Sequence, residues 1–183
     1  RYSDILYPPF YILQKKLFNV ELIEEDYEPT YEIIDKETIG SKITKNSIKT
    51  FKISFDDYII DMNNMFYECD LLIRIDLSHL KASKISNMDF TFGNCRNLLE
   101  VNLTNFQPIN IIGMVRTFQN CHKLTAINWS SHNNSLTFYK LAYMNNSFIN
   151  CHSLTMVNMS YINFDYIRII NNIFVGCSEL KLV

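Results

Sequence analysis

The chain has 183 residues, a net charge of −2, 48% hydrophobic residues, four glycines and four prolines. That is enough chain for a core of ordinary size. It excludes a collagen-like or linker-like polymer, an acidic disordered tail, and the basic field that a nucleic-acid partner needs. No stretch approaches the roughly 18 consecutive apolar residues of a membrane span. The chain opens on Arg1-Tyr-Ser-Asp, without an initiator Met or a signal peptide, and closes on Leu182-Val183 inside a repeat. Both ends read as cuts in a longer parent.

Residues 1–45 share no period with the rest of the chain. Tyr7-Pro-Pro-Phe-Tyr11 is expected to be extended, because proline disfavours helix in the residue before it. Leu13 to Phe18 fits a short helix, and Val20 to Ile23 and Tyr31 to Asp35 fit strands. Glu24 to Glu28 reads as a solvated acidic run. The whole segment is expected to be an irregular N-terminal cap, covering the apolar end that a repeat array would otherwise expose.

Residues 46–183 read as the array. Ile48-Lys-Thr-Phe51-Lys-Ile53 alternates apolar and polar and predicts the strand of a degenerate first unit. One phrase then recurs five times: Phe, two residues, Cys, two residues, Leu. Its cysteines are Cys69, Cys95, Cys121, Cys151 and Cys177, in steps of 26, 26, 30 and 26 residues, and they are all the cysteines in the chain. Three residues after the Cys stand Leu72, Leu98, Leu124, Leu154 and Leu180. Six after stand Ile75, Val101, Ile127, Val157 and Val183, and eight after stand Leu77, Leu103, Trp129 and Met159. A period of two over these last places predicts a short strand. Eleven after the Cys come Leu80, Phe106 and Ile162, with Leu136 in that place once four inserted residues are allowed for. Before the Cys, apolar residues recur at three- and four-residue spacings (Ile59, Met62, Met65/Phe66, Cys69), which predicts a helical turn or two. Each unit is therefore a strand, a turn and a short helix or 3₁₀ segment.

Leu72-x-x-Ile75-x-Leu77-x-x-Leu80 and its copies fit the opening of a leucine-rich repeat. The preceding Met-x-x-Met-Phe-x-x-Cys phrase resembles the BspA-like subfamily, known from surface proteins of bacteria, mycoplasmas and some parasitic protists. The resemblance covers residues 59–183. It implies an α/β fold: a right-handed solenoid with a short parallel β-sheet on one face and helical or 3₁₀ segments opposite, the fifth repeat incomplete. It also implies a surface-exposed or secreted binding or adhesion protein.

The even cysteine spacing suggests a disulfide framework or a metal site, but the count is odd and no C-x-x-C pair is present. Each Cys is flanked three residues away by large apolar residues, so the ladder is expected to be buried core. His122 and His152 each follow a ladder Cys and are expected roughly 5 Å apart on adjacent units. No carboxylate shares their column in those units, and a solvated pair is the expected reading rather than a metal site. His79 and His132 fall in turns. Catalytic signatures are lacking, and Glu24-Glu25 and Asp56-Asp57 read as solvated charge. The chain is expected not to be an enzyme and to use no cofactor.

The outward strand places carry the candidate binding residues: Arg74, Asp76, Glu100, Asn102, Asn128 and Asn158, with Ser78, Thr104, Ala126, Ser130, Met156 and Ser160 beside them. The column Asp76, Asn102, Asn128, Asn158 has two readings. It is a hydrogen-bonded asparagine ladder, or a shallow recognition surface for a protein or glycan. The insertion at Ser131, His132, Asn133 and Asn134 likewise makes room for the Trp129 ring or projects a contact loop. Asn-x-Ser/Thr occurs at Asn102, Asn128, Asn133, Asn145 and Asn158, acceptor sites if a eukaryote secretes the chain. The expected role is recognition or adhesion at the cell surface. The alternative is a scaffold subunit within a larger, intracellular assembly.

Overall fold

The computed structural model describes residues 18–23, 50–55, 60–70, 72–78, 80, 82–129 and 138–181. Five strands form one sheet in chain order: β1 (Phe18–Ile23), β2 (Thr50–Phe55), β3 (Arg74–Asp76), β4 (Glu100–Asn102) and β5 (Ala126–Asn128). β1 and β2 are antiparallel, Phe18 opposite Phe55. The rest of the sheet is parallel. Phe51 lies beside Ile75, Ile75 beside Val101, and Val101 beside Ile127. The expected strand at Val20 to Ile23 is present within β1, and that expected at Ile48 to Ile53 is present from Thr50 on, its first two residues lying outside the described residues; β1 pairs with the sheet from within the cap segment. The rest of the cap, the strand expected at Tyr31 to Asp35 included, lies outside the described residues, as do the acid pairs Glu24-Glu25 and Asp56-Asp57.

β3, β4 and β5 are three residues long, although the inward alternation continues past them to Leu77 and Leu103. Ile75 and Val101 point into the core while their neighbours are half-buried. In the fourth unit the same stretch carries a single bridge residue, Met156. A second column of parallel bridges runs through Asp61, Asn87, Gly113, Tyr143 and Ile169. The core lies between the two columns, and the repeated phrase fills it. Phe66, Phe92, Phe118, Phe148 and Phe174 form one stack, with successive ring centroids 5.2, 5.3, 5.4 and 5.5 Å apart and planes within 16°. Aromatic pairs at such offset-stacked spacings add to the stabilisation from burial alone.

The stretch before each cysteine is not helical, contrary to the spacing. It is a run of tight turns. Met65 N–H donates to Met62 C=O (3.0 Å), Tyr67 to Asn64 (3.2 Å) and Cys69 to Phe66 (3.1 Å), and the next units repeat this. The third residue of alternate turns has positive φ: Asn64 and Glu68, Phe90 and Asn94, Arg116 and Asn120, Asn146 and Asn150, then Asn172 and Gly176. A type II turn requires that conformation at its third residue, and a helix cannot contain it. The same apolar spacing serves both. Among the described residues, 3₁₀ turns occur only at Ala82–Lys84 and Phe164–Tyr166.

The four-residue insertion shifts one core place. Leu136 is outside the described residues, and Phe138 instead bridges to Ile162, buried edge-on against Trp129 at 5.6 Å. Trp129 is itself buried, and its indole N–H meets no acceptor among the described residues.

Candidate functional site

Cys69, Cys95, Cys121 and Cys151 are free and buried; Cys177 is free and half-buried. Each thiol from Cys95 onward donates to the carbonyl of the phenylalanine in the preceding unit: Cys95 to Phe66 (2.9 Å), Cys121 to Phe92 (3.1 Å), Cys151 to Phe118 (3.0 Å) and Cys177 to Phe148 (3.0 Å). Burial pushes the thiols of Cys95, Cys121 and Cys151 well above the ordinary range. Thiols held neutral in this way are poor nucleophiles and poor metal ligands.

The strand face is the candidate site. On it, the Glu100 carboxylate accepts from the Asn128 amide (2.5 Å) and lies 3.7 Å from Arg74 Nε. This end of the face neutralises itself. In the adjoining column Asp76 Oδ1 accepts the Ser78 N–H (2.8 Å) and Asn102 Oδ1 accepts the Thr104 N–H (3.0 Å). Asn158 Oδ1 accepts both the N–H (3.0 Å) and the hydroxyl (2.6 Å) of Ser160. These are Asx turns, in which the side-chain oxygen closes the corner after the strand. Among the described residues this column shows no asparagine ladder. The oxygens of Asp76, Asn102 and Asn158 are spent on turns, and the amide donors of Asn102 and Asn158 meet no partner among the described residues. Exposure rises along the array: Asp76 and Asn102 are half-buried, whereas Asn128, Met156 and Asn158 are exposed. Ser131, His132, Asn133 and Asn134 of the insertion, with Ser130, His79 and the sequon at Asn133, lie outside the described residues.

An asparagine ladder exists elsewhere, one residue before Cys95, Cys121 and Cys151. The Asn94 amide donates to Tyr67 Oη (2.8 Å), Asn120 to Asn94 Oδ1 (2.7 Å) and Asn150 to Asn120 Oδ1 (2.8 Å). Sequence reasoning missed it. The signal was the recurrence of Asn immediately before Cys in three successive units.

His122 and His152 do stack, with ring centroids 4.8 Å apart and planes 21° from parallel. Near-parallel rings aim their lone pairs alongside each other rather than at one point. Among the described residues no group of three or more His, Cys, Asp or Glu could hold a metal ion. Burial, then the adjacent His152 and Arg96, hold the His122 imidazole below its ordinary value of 6.5, with Asp70 opposing. A histidine whose folded value is depressed binds its proton more weakly folded than unfolded. Its contribution to stability is intact above pH 6.5 and is lost as pH falls through the lower folded value. Tm is therefore expected to drop between pH 7 and pH 5, and to drop less in His152→Gln. Equal drops in the two proteins would remove the pair as the cause.

Among the described residues no helix is long and apolar enough to cross a membrane. A family model described as "Mycoplasma protein of unknown function, DUF285" matches residues 36–161. Neither curated proteins nor solved structures give a match to the chain.

Proposed function

The chain belongs to the DUF285 family, and on that footing we propose that it is a non-catalytic recognition module. In this reading it is a BspA-like leucine-rich-repeat solenoid, right-handed, that presents its strand face to a protein or glycan at the cell surface or after secretion. The parallel register of β2 to β5 and the second bridge column support the solenoid. One observation carries the function. The Asx turns use the side-chain oxygens of Asn102 and Asn158, while their amide donors meet no partner among the described residues, on a strand face where Met156 and Asn158 are exposed. Such a row suits neutral acceptors, peptide carbonyls or sugar hydroxyls, and lacks the basic charge that a phosphate backbone calls for.

Aspartate already occupies this column at Asp76, with its turn intact. The double change Asn102→Asp and Asn158→Asp therefore keeps the turn acceptors and removes the donors. Tm is expected to stay within about 2 °C, as surface changes away from special features do. Binding to glycan and peptide arrays is expected to fall roughly tenfold or more, the scale of about 1.4 kcal/mol. Array binding unchanged from the parent protein sinks the strand-face reading.

A second reading, a scaffold subunit within a larger assembly, rests on a different observation. Ile109, Ile112, Tyr139 and Tyr166 are 38–57% exposed at one corner of the array, in places suited to packing against another chain. A native complex with a partner over that corner and the strand face left bare would favour it.

A further inference from the structure

Five residues before each ladder cysteine φ is positive, and three of these five places hold asparagine: Asn64, Asn146 and Asn172. The units of Cys95 and Cys121 hold Phe90 (φ 55°) and Arg116 (φ 54°) there instead. Asparagine tolerates the left-handed region, whereas a bulky side chain is strained in it. The two strained residues meet. The Arg116 guanidinium carbon lies over the Phe90 ring, 5.4 Å from its centroid. The Phe90 ring in turn meets Tyr67 of the preceding unit edge-on at 6.0 Å. Tyr67 is held from two sides. Its ring packs over Gly93, where a Cβ would come within 2.9 Å of it, and its hydroxyl accepts from the Asn94 amide (2.8 Å). Tyr67, Phe90 and Arg116 thus make one row across three units. Arg116 is exposed, and its guanidinium has no hydrogen bond or ion pair among the described residues. The Asp89 carboxylate, next to Phe90 in sequence, accepts from the Val115 N–H instead (2.7 Å).

We propose that Tyr67, Phe90 and Arg116 form a second recognition site, in the turn run rather than on the strand face, that binds a carboxylate side chain in an acidic segment of a partner protein. Strain retained at two touching positions, where asparagine serves the turn in other units, calls for a use beyond the fold. A guanidinium presents a planar fork of donors that matches a carboxylate two bonds at a time. Cation–π attraction to Phe90 holds that fork before the ligand arrives, so less side-chain freedom is lost on binding. The half-buried rings of Phe90 and Tyr67 offer apolar surface to the residues beside that carboxylate. Glu68 stands next to the row, its Oε1 3.4 Å from the Asn94 amide that holds Tyr67. Its charge opposes a phosphate dianion more than a single carboxylate, which decides between the two anions that a guanidinium fits.

The test uses an array of synthetic peptides in matched sets that carry Glu, Gln or phosphoserine at one position and are otherwise identical. The protein is expected to bind Glu members about tenfold or more tightly than their Gln counterparts, the scale of a hydrogen-bonded charge pair. The preference is expected to shrink as salt is raised. Arg116→Asn is expected to abolish it, Phe90→Asn to weaken it, and Arg116→Lys, which keeps the charge but not the fork, to leave an intermediate preference. Both asparagine variants carry the residue that other units already use at this place, so Tm is expected to hold or rise. The double change Asn102→Asp and Asn158→Asp is expected to leave the preference intact; its loss there would assign the effect to the strand face and overturn the proposal. So would equal binding of Glu and Gln peptides by the parent protein, a preference that survives Arg116→Asn, or tighter binding of phosphoserine than of Glu. A fall in Tm of more than about 4 °C in both asparagine variants also overturns it, by showing that the pair serves the turn.

Discussion

Phe118→Ala is expected to destabilise the protein by about 3–5 kcal/mol, the range for truncating a fully buried aromatic ring. The ring is 0% exposed and has a neighbour on each face, Phe92 at 5.3 Å and Phe148 at 5.4 Å. Removing it takes away two stacked pairs and opens a hole between units whose backbones are fixed on both sides. The Phe118 N–H donates to Ser147 C=O, and its own carbonyl receives the Cys151 thiol. Those bonds resist collapse of the cavity, which places the cost toward the upper part of the range. Phe174→Ala, with one stacked neighbour and a half-buried ring, is expected to cost less than half as much. Urea denaturation of both variants measures the difference as a shift in midpoint. Equal costs at the two positions would show that the stack is not what holds the units together.

Asn120→Ala is expected to cost about 2–4 kcal/mol, combining two effects that a second variant separates. The Asn120 side chain donates to Asn94 and accepts from Asn150, so its loss leaves a half-buried acceptor and a half-buried donor unpaired at once. Its φ is +58°, where a Cβ without a compensating polar group is strained. Asn120→Gly removes the ladder bonds but not the backbone freedom. It is expected to be more stable than Asn120→Ala by about 1 kcal/mol. Thermal or chemical unfolding reads both. A glycine variant no better than the alanine one would mean that the ladder, not the turn conformation, sets the whole cost. Gly176 ends the ladder for a steric reason as well: a Cβ there would lie 2.5 Å from Asn150 Oδ1.

The residues that were legible in sequence are those whose burial recurs in register. The Phe, Cys and Leu of each phrase, the strand-borne Ile75 and Val101, and the spacing of His122 and His152 needed only the period and the pleat. The turns were not legible. Places that demand positive φ are held by Asn, Glu68, Phe90 and Arg116 alike, so no single residue type marks them. Apolar spacings of three and four residues then read as helix. The strand-face asparagines were found, with a ladder and a recognition surface both left open, but the Asx turns that take the oxygens of Asn102 and Asn158 were not. An Asx turn depends on where the next two amides point, and composition does not carry that. Phe138 was missed in favour of Leu136 because an insertion erases the register that made every other inward residue visible.

Among the described residues, seven of the ten non-glycine residues with positive φ are asparagine, in a chain that holds only four glycines. Glycine would meet the same dihedral demand, but it leaves the unfolded chain more conformations to lose. Asparagine tolerates the left-handed region and narrows that ensemble. If each such choice is worth a few tenths of a kcal/mol, the seven together reach about 2–4 kcal/mol, a sizeable part of the 5–15 kcal/mol of ordinary net stability. The asparagine bias of this sequence is then a thermodynamic property of its turns. It acts on the state the protein leaves behind when it folds.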